Sequence, residues 1–105
     1  MYPNGKCCLS DRGFSTLYNK ISNASFGDEK KDLIEGASLG CYFSCSQCAR
    51  ILGIFSFDDD KYSVLEFMAP RIIDLQNVNL IYSQFTFDGA KKKAADLLLR
   101  ATSTR

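Results

Sequence analysis

One period governs this chain. The segment Ser25-Phe-Gly-Asp-Glu-Lys30 returns as Ser56-Phe-Asp-Asp-Asp-Lys61 and again as Thr86-Phe-Asp-Gly-Ala-Lys91, so Phe26, Phe57 and Phe87 are 31 and 30 positions apart. A lysine follows each phenylalanine by four residues. Upstream, the apolar positions recur as well: Phe14, Cys45 and Leu75, then Leu17, Cys48 and Val78, then Ile21, Leu52 and Tyr82. Downstream come Leu33, Val64 and Ala94, followed by Ala37, Met68 and Leu98. A repeat of this length restricts the fold strongly, because each unit is one supersecondary element that cannot bury its apolar face alone.

Steps of three and four between apolar residues place them on one face of a helix. Phe14, Leu17 and Ile21 form one stripe, Cys45, Cys48 and Leu52 the next, and Leu75, Val78 and Tyr82 the third. A second stripe follows each Ser/Thr-Phe break, as in Leu33, Ile34 and Ala37. Each repeat therefore reads as two short helices joined by a turn. The expected fold is all-α, with three helix-pair repeats and about six short helices stacked as a small right-handed solenoid-like bundle. The helices are expected near 12–24, 28–38, 45–55, 59–69, 75–85 and 88–101, with residues 1–10 as an N-terminal extension to a single domain over 11–105.

Helix-start chemistry fits this phasing. Ser25 and Ser56 each precede a carboxylate by three positions, Ser44-x-x-Gln47 has the form of a capping box, and Asp74 suits the N-cap of the fifth helix. Pro70 separates the second pair from the third. The three phenylalanines of the turns are expected to be largely buried at equivalent places.

The ordered pattern Ser44-x-x-Gln47, Ile51-Leu52, Phe55-Ser-Phe57-Asp, Lys61, Pro70, Asp74-x-x-Asn77 and Phe85-Thr-Phe87 resembles the domain of unknown function 4476 family. The likeness runs from about Phe14 to the end of the chain. It implies an all-helical domain, found in bacteria and eukaryotes and often attached to other segments. It implies no activity, cofactor or catalytic residue. The first repeat departs most from the pattern, with Ala24 where the others have Phe55 and Phe85.

Composition removes several kinds of chemistry. The chain has no histidine, which excludes Ser-His-Asp and Cys-His catalysis and His-ligated zinc. Thirteen basic residues against twelve acidic ones give a net charge of +1, too little to recruit nucleic acid or a lipid surface. No run approaches the roughly 20 apolar residues that span a bilayer. The first nine residues lack the apolar stretch of a signal peptide, and five cysteines cannot all pair within one chain. The cytoplasm is the default expectation.

Cys41-x-x-x-Cys45-x-x-Cys48 is the pattern most suggestive of chemistry. Zinc held with Cys7 or Cys8 is one reading, and a low-pKa thiol pair at a helix N-terminus is another. Against both, Cys45 and Cys48 occupy the repeat positions of Phe14 and Leu17, and of Leu75 and Val78, so the bland reading is core packing. Thiol redox chemistry through Cys45 and Cys48 is the alternative function. Asp58-Asp-Asp60 fails as a calcium loop, since Ser63 and Ala69 stand where such a loop needs glycine and an acid. Lys30-Lys31 and Lys91-Lys-Lys93 read as solvated helix faces.

The expected function is that of a protein-interaction or structural module, without cofactor or metal, whose partner is another protein or peptide. Aromatics that the repeat does not require for a core mark the candidate surface. Tyr62 aligns with Lys31 and Lys92, Tyr18 aligns with Ala49 and Asn79, and Tyr42 and Phe43 lie between repeats. An exposed cluster among these four would serve as a binding patch. The competing reading is that Tyr42 and Phe43 cap the core.

Overall fold

The first helix starts where the chain offers a hydroxyl acceptor: Ser10 is its N-cap, accepting from the N–H of Gly13 at 3.1 Å. This helix, α1, spans Asp11–Asn23, and the computed structural model describes residues 10–103. After it come α2 (Gly27–Gly40), α3 (Cys45–Leu52), α4 (Asp58–Met68), α5 (Asn79–Tyr82) and α6 (Asp88–Ser103). The architecture is all-helical, with no strand among the described residues. The N-terminal extension lies, apart from Ser10, outside the described residues, as do Cys7 and Cys8.

Five of the six helices fall close to the expected positions. Ser44 and Gln47 form the expected capping box on α3, each side chain satisfying the other's backbone N–H. Three caps differ. The N-caps of α2 and α4 are Phe26 and Phe57, one residue after the serines, with extended backbones (φ −125° and −109°) and no side-chain cap. The acidic first turns, Asp28-Glu29 and Asp58-Asp-Asp60, complement the helix dipoles in place of a hydroxyl.

The third correction concerns the fifth helix. A single helix over 75–85 is expected, but the chain forms a 3-10 turn at Leu75–Asn77 followed by the single turn of α5. Asp74 does not cap it. Its carboxylate instead accepts from the Cys45 N–H at 2.7 Å, at the start of α3, and from the Asn77 side chain at 2.9 Å. With its acceptor committed elsewhere, and with Asn77, Val78 and Asn79 in a row, this stretch has weak helix-forming tendency.

Helices contact one another in a regular order. Neighbours in sequence pack together (α1 with α2, α3 with α4, α5 with α6), and so do α2 with α4, α4 with α6, and α3 with α5. The Cα trace measures 35 × 35 × 18 Å, about two helix layers deep. Ile21, Ile34, Ile51, Leu52, Val64, Leu65, Met68 and Ile81 are fully buried between the layers. Two connectors also join: Phe43 donates its N–H to the Arg71 carbonyl at 2.8 Å and accepts from the Ile73 N–H at 3.0 Å, forming an isolated parallel bridge with Ile72. Arg50 ties α3 to α1, with its guanidinium 5.0 Å from the ring centroids of both Phe14 and Tyr18.

Candidate functional site

The Phe-to-Lys spacing of four in each turn is the spacing of a helical hydrogen bond. The N–H groups of Lys30, Lys61 and Lys91 donate to the carbonyls of Phe26, Phe57 and Phe87, each at 3.0 Å, closing the first turn of α2, α4 and α6. The phenylalanines themselves face outward, 73%, 71% and 69% exposed. This overturns the expectation of burial. At the N-cap the backbone is still extended, so the side chain leaves before the helix has a buried face. The inward position lies two residues earlier, at Phe55 and Phe85, both buried. In the first turn that place is held by Ala24, half-buried.

The side chains of two of these lysines, Lys30 and Lys61, then bond to backbone carbonyls of other segments. Lys30 donates to the carbonyls of Ile21, Ser22 and Ala24 at 2.9, 3.1 and 2.9 Å, satisfying the open C-terminal end of α1. Lys61 is buried and donates to the Gln84 carbonyl, after α5. Asp58 makes a second link across the same junction, accepting from the N–H groups of Thr86 and Phe87 at 3.0–3.1 Å. Partial burial raises the Asp58 pKa, but these donors and the nearby Lys61 charge outweigh it, and the carboxyl titrates below its ordinary value.

Beside this junction a groove of about 340 Å³ runs between α4 and α6, lined by Asp58, Asp59, Tyr62, Phe87, Ala90 and Lys93. Its lining combines aromatic and small apolar side chains with charges of both signs. Tyr62 is half-buried here, not fully solvent-facing as its alignment with lysines suggests, because its ring packs against the core.

The other expected residues are distributed differently. Tyr18 is half-buried on α1, against Phe14 and under Arg50. Tyr42 and Phe43 are buried, which corrects their place in an exposed patch. The parallel bridge draws their connector inward, and Arg71 covers Tyr42 with its guanidinium 5.3 Å from the ring and a 3.4 Å hydrogen bond to the hydroxyl. The structure does not gather the four residues into one patch. Of the four, Tyr62 shares a groove with an exposed turn phenylalanine, Phe87. The exposed row at Phe26, Phe57 and Phe87 was visible in the sequence as a repeat, but its outward direction was not.

Cys45 and Cys48 are buried, free thiols on the first turn of α3. Burial, with the adjacent Asp74 carboxylate, pushes Cys45 up to about 12, and burial raises Cys48 too. The Cys45 thiol donates to the Asp74 carbonyl at 3.1 Å. A helix N-terminus favours thiolate, but here desolvation wins, and the site opposes a nucleophilic thiol. Among the described residues no group of three or more Cys, Asp or Glu side chains is arranged to hold a metal ion. No helix among them is long and apolar enough to cross a membrane.

A family model described as a domain of unknown function (DUF4476) matches residues 9–98. No curated protein and no solved structure matches the chain.

Proposed function

The chain belongs to the domain of unknown function family DUF4476, and we propose that within it this domain is a protein-interaction module, built as three stacked helix pairs in a small right-handed solenoid-like arrangement. Its partner is another protein or a peptide, which lies along the edge where the three turns emerge. The observation that carries this reading is the exposure of Phe26, Phe57 and Phe87, which agrees to within a few per cent across positions 30 or 31 residues apart. Single exposed apolar side chains are ordinary, but three aromatics repeated at one spacing and one exposure supply the kind of anchor that dominates interface energetics.

Further support comes from the spacing of the cross-links. Lys31–Asp60, Cys45–Asp74, Arg71–Tyr42 and Phe87–Asp58 each join residues 29 apart, as one helix pair stacked on the next requires. Stacked pairs leave grooves between successive helices, and the α4–α6 groove with Tyr62 lies beside Phe87. Tyr62 is thus the expected aromatic that keeps a place in the binding surface.

Selection from a displayed random-peptide library tests the reading. The wild-type domain should enrich peptides with apolar or aromatic anchors, and the triple variant F26A/F57A/F87A should lose their binding by at least about tenfold. Equal binding by a folded triple variant refutes the Phe edge, and no enrichment over an unrelated helical domain refutes the interaction role.

A further inference from the structure

The first turns of α2, α4 and α6 stand side by side. Lys31 of α2 meets Asp60 of α4 at 3.0 Å, and Asp58 of α4 holds the N–H groups of Thr86 and Phe87 at the start of α6. These bonds place Phe26, Phe57 and Phe87 in one row. Packed helices lie about 8–10 Å apart, so the row spans about 16–20 Å, the reach of about five or six extended residues.

Charge along the row is sorted by which groups are already committed. Lys30 and Lys61 turn inward onto backbone carbonyls, and Lys31 is paired with Asp60. Asp58 is occupied by its two N–H donors. What remains at the first two turns is acidic: Asp28, Glu29 and Asp59 are exposed, with no ion pair or side-chain hydrogen bond among the described residues. At the third turn the balance reverses. There α6 has one acidic residue in its first turn, Asp88, followed by the exposed Lys92 and Lys93. Its N-terminal dipole is thus less neutralised than those of α2 and α4, which have two and three acidic residues in the first turn. The α4–α6 groove stands at the change of sign, with Asp59 and Lys93 in its lining beside Tyr62 and Phe87.

We propose, on the reading of this edge as a binding surface, that it takes an extended segment of a partner protein whose charges are separated. Lys or Arg lies over the turns of α2 and α4, an apolar anchor enters the α4–α6 groove, and Asp or Glu lies over the start of α6. Both ends of such a segment meet opposite charge. A uniformly basic segment would set one end against Lys92 and Lys93, and a uniformly acidic one would meet Asp28, Glu29 and Asp59. Like charges brought together disfavour both alternatives. The same order of charge fixes which way the segment lies along the row. A net charge of +1 gives no overall attraction, so selection depends on this local pattern.

The composition of peptides selected on the wild-type domain from a displayed random library tests the proposal. The enriched pool should carry basic residues on one side of the apolar anchor and acidic residues on the other. D28N/E29Q/D59N keeps the size of each side chain and removes its charge, so a synthetic peptide from that pool should bind this variant at least about fivefold more weakly at low salt. Reselection on K92E/K93E should yield peptides with basic residues on both sides of the anchor. Both variants alter exposed side chains and should keep the wild-type helicity. Apolar enrichment without charge separation overturns the proposal and leaves the interaction role standing. So does a charge-separated pool whose affinity and composition neither variant changes. No enrichment at all overturns both.

Discussion

Phe85 and Phe87 are two residues apart, and truncating them should have opposite consequences. Phe85 is 3% exposed and belongs to the central cluster, so Phe85→Ala removes most of a buried aromatic ring and leaves a cavity lined by residues of several helices. Such truncations cost about 3–5 kcal/mol. Against a total stability of about 5–15 kcal/mol for a domain, that is a fifth of it at least and all of it at most. In a chain of this size it corresponds to a melting temperature lower by roughly 12–40 °C. Phe87 is 69% exposed, and its structural work is done by the backbone: its N–H donates to Asp58 and its carbonyl accepts from Lys91. Alanine keeps both, so Phe87→Ala should stay within about 0.5 kcal/mol of the wild type. Urea unfolding followed by far-ultraviolet circular dichroism measures both, with the slope expected to be unchanged. Equal destabilisation by the two variants would refute the outward placement of the turn phenylalanines.

The Asp58 carboxylate and the buried thiols carry the remaining outcomes. Asp58→Ala removes the acceptor of the Thr86 and Phe87 N–H groups and should cost about 1–2 kcal/mol. Because the folded carboxyl titrates below its ordinary value, its contribution is complete above the unfolded pKa of about 3.9 and is lost as pH falls through the folded value; acid titration of wild type against variant should show the difference vanish. For the cysteines, site-mapped alkylation of the folded protein at neutral pH should leave Cys45 and Cys48 unmodified while half-exposed Cys41 reacts. The raised thiol pKa values favour the neutral form in the fold, so stability should decline from about pH 8.5 upward as the unfolded chain ionises, and Cys48→Ala should flatten that decline.

The repeat made the helices legible because apolar spacing and capping residues are local signals. The stripe Phe14, Leu17, Ile21 and the box Ser44–Gln47 needed no tertiary information. The fifth helix departs from its expected span because its cap serves another helix: the Asp74 carboxylate bonds to Cys45 29 residues earlier, a contact no local pattern records. The turn aromatics failed for a different reason. Phe55 and Phe57 flank one serine in an extended stretch, where helical periodicity says nothing about which ring faces in. Tyr42 and Phe43 were hidden by the connector bridge, a pairing between two loops with no strand character in the sequence. For the cysteines, the apolar residues at equivalent positions pointed to packing, and Phe14 matches Cys45 in burial, although Leu17 and Val78 are only half-buried where Cys48 is fully buried.

The constant separation of the cross-links has a consequence for how this chain tolerates changes of length. Asp58 reaches Phe87, Asp60 reaches Lys31 and Asp74 reaches Cys45 across the same 29 residues. Removing one residue from α4 would turn its remaining side chains by about 100° and break every one of those pairings on that helix. Inserting an entire unit would leave each residue with a neighbour of the type it already has. Insertions and deletions should therefore be accepted in whole periods and rejected as single steps within a helix. Length in this domain is quantised by its own contacts.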